Sequence, residues 1–295
     1  MRPAPNHRLP AGLRLGRVRL QVADLARSIE FYEDFLGMRV QSRADGGATL
    51  GPQGSETVIV ELHEHRGARA VPKRGRLGLF HFAILLPDRA SLGRLYQHLR
   101  AQGIPLGQAD HLVSEALYLS DRDGLGIEVY ADRPRSSWQD EGGQIKMTTD
   151  PLDVESLVRA AGDEPWSGMP AGTILGHVHL HVGDLKAAAD FYHRTFGFDL
   201  TVWGYPGALF FSAGGYHHQL GTNTWATGAT PPAPDEAQLL DWEMMLPSGA
   251  DVAAAAESLT KAGHQVAVDG DARVATDPWG TRVRMATSWK SGARS

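Results

Sequence analysis

The segment LGRVRLQVADL at residues 15–25 returns as LGHVHLHVGDL at residues 175–185. The same offset relates Phe31-Tyr32 to Phe191-Tyr192, and the likeness persists into the later part of each half. Self-similarity on this scale is typical of homologous domains in one chain. The repeat therefore predicts that the chain folds as two related halves.

Each half contains two smaller units, in which a strand leads into a helix and further strands follow. In the first unit, Val18, Leu20 and Val22 alternate with polar residues, as in a strand with one buried face. Asp24 follows this strand and is placed to cap the next helix. The other three units start at Phe80, His177 and about Asp241. The pattern predicts an α+β fold built from four such units.

The repeat and the composition divide the chain into four segments. Residues 1–12 contain Pro and Arg without an apolar core, which predicts a disordered tail rather than a signal peptide. The two related domains span 13–133 and 173–290. Between them, residues 134–172 form a linker with one short helix, for which Asp150 is the predicted cap.

The composition excludes several classes of protein. The chain has 295 residues, a net charge of −5 and 42% hydrophobic residues, which is ordinary for a globular protein and offers no basic field for nucleic acid. It contains no cysteine, so a metal site must use His, Asp or Glu side chains. No apolar run approaches the ~18 residues that span a bilayer, and we expect a cytoplasmic protein.

Four strand–helix–strand units in two pairs resemble the vicinal oxygen chelate superfamily, which includes glyoxalase I, bleomycin-resistance proteins and type I extradiol dioxygenases. A narrower match follows the extradiol signature of a His, a Leu-Tyr pair, a turn and a Glu. In this chain they are His111, Leu117-Tyr118, residues 121–124 and Glu128, with Arg122 where the signature has Pro. Taken whole, the chain is most similar to the two-domain bacterial catechol-2,3-dioxygenase group. The resemblance implies four βαβββ units that form half-barrel clefts.

The resemblance implies three metal ligands on the strand faces that line a cleft, namely two His side chains and one Glu. Alternation along the strands places His81, Glu128 and His177 opposite their apolar neighbours. Phe80 and Phe82 are accordingly expected to pack away from the cleft. Two imidazoles and one carboxylate are typical of Fe(II) oxygenase sites, with Mn, Ni and Zn as alternatives.

The pairing of the units decides which residues meet. In the first half, Arg17 stands where the third ligand would be, and in the second half Asp241 and Arg284 stand where the other two would be. A complete triad therefore requires the second unit to face the third, which leaves the first and fourth units around a charge-balanced cleft without metal. Pairing within the first half would instead bring Glu61 to the two first-half ligands.

The resemblance also implies roles for four further residues. His111 is the predicted acid–base, because an imidazole changes its protonation near neutral pH. Tyr118 is expected to hydrogen-bond a substrate oxygen, and His179 and His217 to contact the substrate. The structural alternative makes Tyr118 a half-buried aromatic and His179 part of a solvated strand face.

The predicted function is extradiol ring cleavage of a catechol-type aromatic diol with Fe(II) and O2, in aromatic catabolism. One alternative is a glyoxalase-type isomerase or lyase, with Ni, Zn or Mn on His81, Glu128 and Glu61. The other is a non-catalytic protein of the bleomycin-resistance type, which would hold an aromatic ligand without metal. The expected partners are a small aromatic diol and O2, with no nucleic acid and no membrane, and assembly into a homo-oligomer stays open.

Overall fold

The computed structural model describes residues 4–287. The first unit comprises β1 (Arg14–Val22), α1 (Leu25–Asp34), β2 (Arg39–Ala44), β3 (Gly47–Gly51) and β4 (Val60–Glu64). The second unit comprises β5 (Gly78–Leu85), α2 (Arg89–Ala101), β6 (Gly107–Asp110), β7 (Ser114–Ser120) and β8 (Gly126–Asp132). The linker contains the short strands β9 (Asp140–Glu141) and β10 (Gln144–Ile145) and the helix α3 (Val154–Ala161).

The second half repeats this order. The third unit comprises β11 (Ile174–His181), α4 (Leu185–Ala188), β12 (Asp199–Val202), β13 (Ala208–Ser212) and β14 (Leu220–Asn223), and α4 continues as a π-helical segment at Ala189–Thr195. The fourth unit comprises β15 (Gln238–Met245), α5 (Gly249–Lys261), β16 (Val266–Asp269), β17 (Ala272–Thr276) and β18 (Arg282–Ala286). Within residues 4–287, none of the helices is long and apolar enough to cross a membrane.

Apart from the β9–β10 hairpin, the strands form two eight-stranded sheets, and each sheet draws on both halves of the chain. The first sheet has the order β16-β17-β18-β15-β1-β4-β3-β2 and joins the first unit to the fourth. The second sheet has the order β12-β13-β14-β11-β5-β8-β7-β6 and joins the second unit to the third. The predicted α+β fold is confirmed. Its units are exchanged between the halves, which is the pairing that the complete triad requires.

One apolar core connects the two sheets. Leu20, Phe82, Leu180 and Trp242, one from each unit, are completely buried in it. Removing such large side chains from water is the main favourable contribution to folding. The core therefore belongs to both halves of the chain together.

In each half, one hydrogen bond joins the two neighbouring units, and the two bonds are equivalent. Tyr32 on α1 donates to Asp121 Oδ2 at 3.3 Å, and Tyr192 in the π-helical segment donates to Asp277 Oδ2 at 2.8 Å. Each carboxylate lies in the turn before the last strand of its unit, and its other oxygen accepts two backbone N–H groups. The helix of one unit is thus bonded to the turn of the next.

Residues 4–12 form ordered contacts where the sequence predicts a disordered tail. The backbone N–H groups of Asn6 and Leu9 donate to the carbonyls of Arg194 and Gly197, at 2.8 and 2.9 Å. The Leu9 side chain is buried in the core at 7% exposure. These contacts fix the segment against the third unit, whereas residues 1–3 and the end of the predicted second domain, 288–290, lie outside the described part of the chain.

The linker helix begins later than the sequence predicts. Asp153, rather than Asp150, caps α3, because its side chain accepts a hydrogen bond from the Ser156 N–H at 2.9 Å. Asp150 instead exchanges two backbone hydrogen bonds with Asp110, both 2.9 Å long. This pairing keeps the chain around Asp150 extended and connects the linker to the second unit.

The Asp121 carboxyl is buried, at 8% exposure. Its Oδ1 accepts hydrogen bonds from the N–H groups of Asp123 and Leu125, both at 2.9 Å. Burial nevertheless raises the pKa of Asp121 from 3.8 to about 6. The folded protein therefore binds this proton more tightly than the unfolded chain does. The resulting contribution to stability is present in full below pH 3.8 and is lost as the pH rises through about 6.

We predict that Asp121→Asn removes this pH dependence, because the amide keeps an acceptor for the two backbone N–H groups and does not ionise. The difference in the free energy of unfolding, variant minus wild type, should therefore be about 1 kcal/mol larger at pH 8 than at pH 5. Urea unfolding of both proteins at both pH values measures this difference. The contributions of the other titrating groups cancel because the two proteins share them. An equal difference at the two pH values would contradict the prediction.

Candidate metal centre

Strand register brings His81, Glu128 and His177 together at the middle of the second sheet. Glu128 on β8 and His177 on β11 both lie opposite Ala83 of β5, one on each side. His81 is two residues before Ala83 on the same strand, so its side chain leaves the sheet on the same face. The small Ala83 side chain leaves room for the three larger groups above it.

The three side chains converge on one point. Nε2 of His81 lies 2.9 Å and Nε2 of His177 lies 3.1 Å from the same carboxylate oxygen, Oε2 of Glu128. One ligand atom from each residue lies within 4.8 Å of the others. All three side chains are buried, with exposures of 4% or less. Within residues 4–287, no other group of three potential metal-binding side chains converges in this way.

The electrostatics of this cluster fit a cation. Burial lowers the pKa of His81 and of His177, which favours neutral rings. Burial also opposes ionisation of Glu128, yet the two imidazoles hold its pKa well below the usual range. Nε2 of His81 is buried and close to this carboxylate, but its geometry does not make a hydrogen bond. An ionised carboxylate beside imidazole nitrogens in a buried site is costly unless a cation completes the set, so these residues fit a divalent metal.

Glu61, the alternative third ligand, lies in the other sheet. There its Oε2 is 2.9 Å from Nε of Arg17, and its Oε1 is 2.6 Å from Nε2 of His63. Burial opposes ionisation of Glu61, but its bond to His63 and the cation of Arg17 lower its pKa to about 2. The structure therefore does not bring Glu61 to His81.

The first sheet contains ion pairs at the positions that match the triad. Arg19 lies 2.8 Å from Asp241, and Arg284 lies 3.5 Å from Glu243. This arrangement corresponds to the charge-balanced cleft expected for the first and fourth units. A buried charge that is paired in this way does not need a metal.

A cavity of about 250 Å³ lies over the triad. Aromatic rings form much of its wall, including Phe80, Tyr118, Tyr205, Phe210 and Trp225. Ligand cavities of this kind are mostly apolar with a few directed polar groups. The volume and the lining suit a single aromatic ring held against the cluster.

His111 and Tyr118, the predicted catalytic pair, both line this cavity. His111 Nδ1 lies 2.6 Å from the Thr148 carbonyl oxygen, which only accepts, so Nδ1 carries the proton. In the neutral ring, Nε2 then accepts a hydrogen bond from the Tyr118 hydroxyl at 2.6 Å. Burial, and then the charge of Glu128, raise the pKa of Tyr118 well above its usual value, so the phenol keeps its proton.

A strained turn holds His111 in place. Leu112 has a φ of 67°. Among the other described residues, only glycines have a positive φ. Its N–H donates to Asp110 Oδ1 at 2.9 Å, and the His111 N–H donates to the Ser114 carbonyl at the same distance. Such a backbone conformation persists only where surrounding bonds impose it.

The expectation that Phe80 packs away from the cleft is wrong. His81 pairs with His179 across β5 and β11, but Leu79 pairs with Leu180, so Phe80 is an extra residue in a β-bulge. The bulge breaks the alternation and puts Phe80 on the cavity side with His81. Its ring lies 5.2 Å from that of His179 and 5.6 Å from that of Trp225.

The two predicted substrate contacts have different positions. His179 lines the cavity, and its Nε2 accepts a hydrogen bond from the Asn223 amide at 2.9 Å. His217 is completely buried behind the wall, with Nε2 at 2.9 Å from Asp132 Oδ1. Its neighbour His218 lines the cavity instead, with its ring 4.1 Å from that of His177.

The linker supplies a roof that the sequence does not predict. Met147 and Thr149 line the cavity, and the Thr149 hydroxyl is hydrogen-bonded to the Tyr205 hydroxyl. The adjacent Thr148 carbonyl is the group that orients His111. The segment between the two predicted domains thus closes the cavity and fixes the acid–base candidate.

Comparison with known proteins gives a consistent picture. A family model described as "Glyoxalase/Bleomycin resistance protein/Dioxygenase superfamily" matches residues 14–129 and 174–285. Catechol-2,3-dioxygenase of Bacillus subtilis (strain 168) is 46% identical over 256 residues, which cover 85% of this chain and 89% of that relative.

Solved structures support the fold. A Bacillus subtilis subsp. subtilis str. 168 protein described as a candidate dioxygenase has a TM-score of 0.66 at 15% identity, over 96% of this chain and 87% of its own. Glyoxalase I of Zea mays has a TM-score of 0.53 at 18% identity, over 93% of this chain and 92% of its own. At these identities the two likenesses concern the fold alone.

We predict that Leu112→Gly gives a more stable protein than Leu112→Val. Glycine adopts positive φ freely, whereas a residue with a Cβ pays about 1–2 kcal/mol there and a β-branched residue more. The valine variant should unfold with a free energy at least about 1 kcal/mol below that of the glycine variant. Urea unfolding of both proteins measures this, and the reverse order would show that the turn is not strained.

Proposed function

Because the chain belongs to the glyoxalase/bleomycin resistance protein/dioxygenase superfamily and is a dioxygenase, we propose that it cleaves the ring of a catechol-type diol by extradiol chemistry. The observation that carries the proposal is the convergence of His81, Glu128 and His177 on the floor of a cavity lined by rings. In the reaction, the ring carbon–carbon bond beside the diol breaks. Both atoms of O2 enter the product, a ring-opened semialdehyde.

We propose His81, Glu128 and His177 as the ligands of Fe(II). Two neutral imidazoles and one carboxylate leave coordination positions open and are typical of iron in oxygenases, with Mn, Ni and Zn as alternatives. Bound Fe(II) would lower the pKa of the diol oxygens and bring the diol and O2 into one site.

The cavity wall orients the substrate ring. Phe80, Tyr205 and Trp225 offer apolar faces against which a planar ring packs. His179 is neutral because burial, reinforced by the nearby His81 and His177, holds its pKa well below the usual value. Its Nε2 is engaged by Asn223, which leaves the proton on Nδ1. The wall therefore combines apolar ring faces with a neutral imidazole held in one orientation.

His111 and Tyr118 divide the handling of protons. Tyr118 keeps its proton and lies directly across the β7–β8 pair from Glu128. When the diol binds, the Tyr118 O–H would turn from Nε2 of His111 to a substrate oxygen, which frees Nε2 as a proton acceptor. His111 has Nδ1 fixed by the Thr148 carbonyl and Nε2 directed toward the cavity. We propose that Nε2 of His111 takes the proton from the diol and returns it later in the reaction.

The ligand assignment predicts that His177→Ala and Glu128→Gln each weaken Fe(II) binding by more than about 100-fold, because each removes a ligand. Glu61→Gln is the matched control, since Glu61 is an ionised carboxylate in the equivalent sheet. It should retain one iron per chain. Iron content after anaerobic loading and dialysis measures the effect. Iron loss in the Glu61 variant with retention in the His177 variant would overturn the assignment.

The proton-handling assignment predicts that His111→Asn lowers kcat by about 10²–10⁴-fold with iron retained. Tyr118→Phe should lower kcat less and raise KM, because it removes one hydrogen bond and no proton acceptor. Formation of the yellow ring-opened product in air follows the rate, and iron analysis shows that the site is intact. Full activity of the His111 variant would exclude it as the acid–base.

Catalysis itself is tested with iron-loaded wild type, several catechols and air. Consumption of O2 with formation of yellow product supports the proposal. An iron-containing protein that consumes no O2 with any of these diols would contradict it. Turnover of another substrate without O2 would indicate isomerase or lyase chemistry instead.

A further inference from the structure

We propose that the diol carries an acidic side chain, and that Lys73, Arg74 and Arg122 bind its carboxylate at the mouth of the cavity. The inference rests on the proposed ring cleavage and goes one step further, to the class of substrate. It is carried by the shape of the cavity and by the charges around its opening.

The cavity over the triad continues into a second, outer cavity of about 930 Å³. Phe80, His81, Tyr118 and Trp225 line both spaces, so the two lie next to each other on either side of these side chains. The inner space of about 250 Å³ holds one aromatic ring beside the metal ligands. A substituent on that ring therefore extends past His81 and Tyr118 into the outer cavity.

The two spaces differ in charge. The inner cavity has no Lys or Arg in its wall, and its acid is the ligand Glu128. The outer cavity is lined by three cations, Lys73, Arg74 and Arg122, and by the acid Asp121. The Asp121 oxygens already accept hydrogen bonds from two backbone N–H groups and a tyrosine hydroxyl. The outer cavity therefore presents an excess of positive charge.

These three cations have no counter-ion in the described part of the chain. Lys73 and Arg74 are exposed and form no ion pair, and Arg122 packs over the rings of Phe31 and Phe35, at 5.8 and 5.2 Å. Other cations near by are neutralised. Arg76, for example, lies 2.7 Å from Glu236. The positive charge at the mouth is thus free to meet an anion.

A rigid turn presents two of the cations. The Gly75 N–H donates to the Pro72 carbonyl at 2.7 Å, which closes a turn with Lys73 and Arg74 at its corner. Gly75 has a φ of 75°, and a Cβ there would lie 3.3 Å from Nε2 of His181, so the turn sits against the cavity wall. The Val71 N–H anchors its start to the Asp123 carbonyl at 2.9 Å.

This distribution selects an anionic substituent. The chain as a whole has a net charge of −5, so a cationic mouth is a local feature and not a consequence of overall charge. A cleft lined by one sign of charge raises the local concentration and the association rate of oppositely charged ligands. Arginine binds a carboxylate through two parallel hydrogen bonds. The apolar residues Val71, Leu79 and Ile104 also line the outer cavity, where they would contact the substrate side chain that carries the carboxylate.

The test compares a substrate pair that differs in charge and little in shape. 3-(3,4-Dihydroxyphenyl)propionate carries the carboxylate, its methyl ester does not, and catechol has no side chain. For the iron-loaded wild type, kcat/KM for the acid should exceed that for the ester by about tenfold or more at low salt. The ratio should fall as ionic strength rises, because the cations are exposed.

Variants then assign the preference to the mouth. Lys73→Ala combined with Arg74→Ala should lower the acid-to-ester ratio by about threefold or more, with Arg122 still present, while leaving kcat/KM for catechol within about twofold of the wild type. Lys186→Ala combined with Lys261→Ala removes the same charge from helix surfaces, where both lysines pair with a neighbouring acid. This control should keep the wild-type ratio.

Binding separates this inference from the proposed chemistry. Calorimetric titration of the iron-loaded protein with acid and ester, in the absence of O2, measures the charge preference without turnover. A wild type that cleaves catechol but treats acid and ester alike overturns the acidic side chain and leaves ring cleavage standing. Equal loss of the ratio in the control variant also overturns it. A protein that cleaves no diol yet binds the acid more tightly contradicts the proposed function and keeps the charge preference.

Discussion

The antiparallel pairing of β5 with β11 is the constraint on which the site depends. Together with the parallel pairing of β5 and β8, it sets Glu128 and His177 on either side of Ala83, with His81 on the same face. A slip of one residue would turn a whole strand's side chains to the opposite face. The register shifts by one residue at Gly176, where a side chain would fall 1.9 Å from the Tyr130 hydroxyl oxygen. The pairing of the strands thus brings His81, Glu128 and His177 together.

The two sheets have the same architecture but differ in how the charge of their buried carboxylates is compensated. In the first, Arg17 and Arg19 form direct ion pairs with Glu61 and Asp241, so these charges are balanced within the protein. In the second, a buried carboxylate faces two imidazoles whose rings burial keeps neutral, and no Lys or Arg of residues 4–287 lines the cavity above them. A buried charge without a compensating partner is strongly unfavourable. The second sheet therefore favours binding of a cation from solution, whereas the first sheet does not.

The sequence predicted the faces of His81, Glu128 and His177 because alternation from the apolar residue on at least one side of each reports the face of the sheet. It could not choose the pairing of the units, since the contact between β5 and β11 spans the linker and leaves no local pattern. Phe80 was misplaced because a bulge is invisible to alternation. His218 precedes β14 in an irregular segment, where no period applies. Met147 and Thr149 reach the cavity from a linker without periodicity, so only three-dimensional packing identifies them as its roof.

The exchange of units also separates the control of chemistry from the control of access. The floor with the metal ligands is fixed by the register of central strands in a shared core, where any shift would disturb both halves. The mouth is formed by the turn at residues 72–75, between β4 and β5, and by the turn that contains Asp121, which α1 holds through Tyr32. The cations Lys73, Arg74 and Arg122 lie in these surface turns and line the outer cavity, whereas none of them lines the cavity over His81, Glu128 and His177. The fold can therefore keep one reaction while its loops select the substituent on the ring.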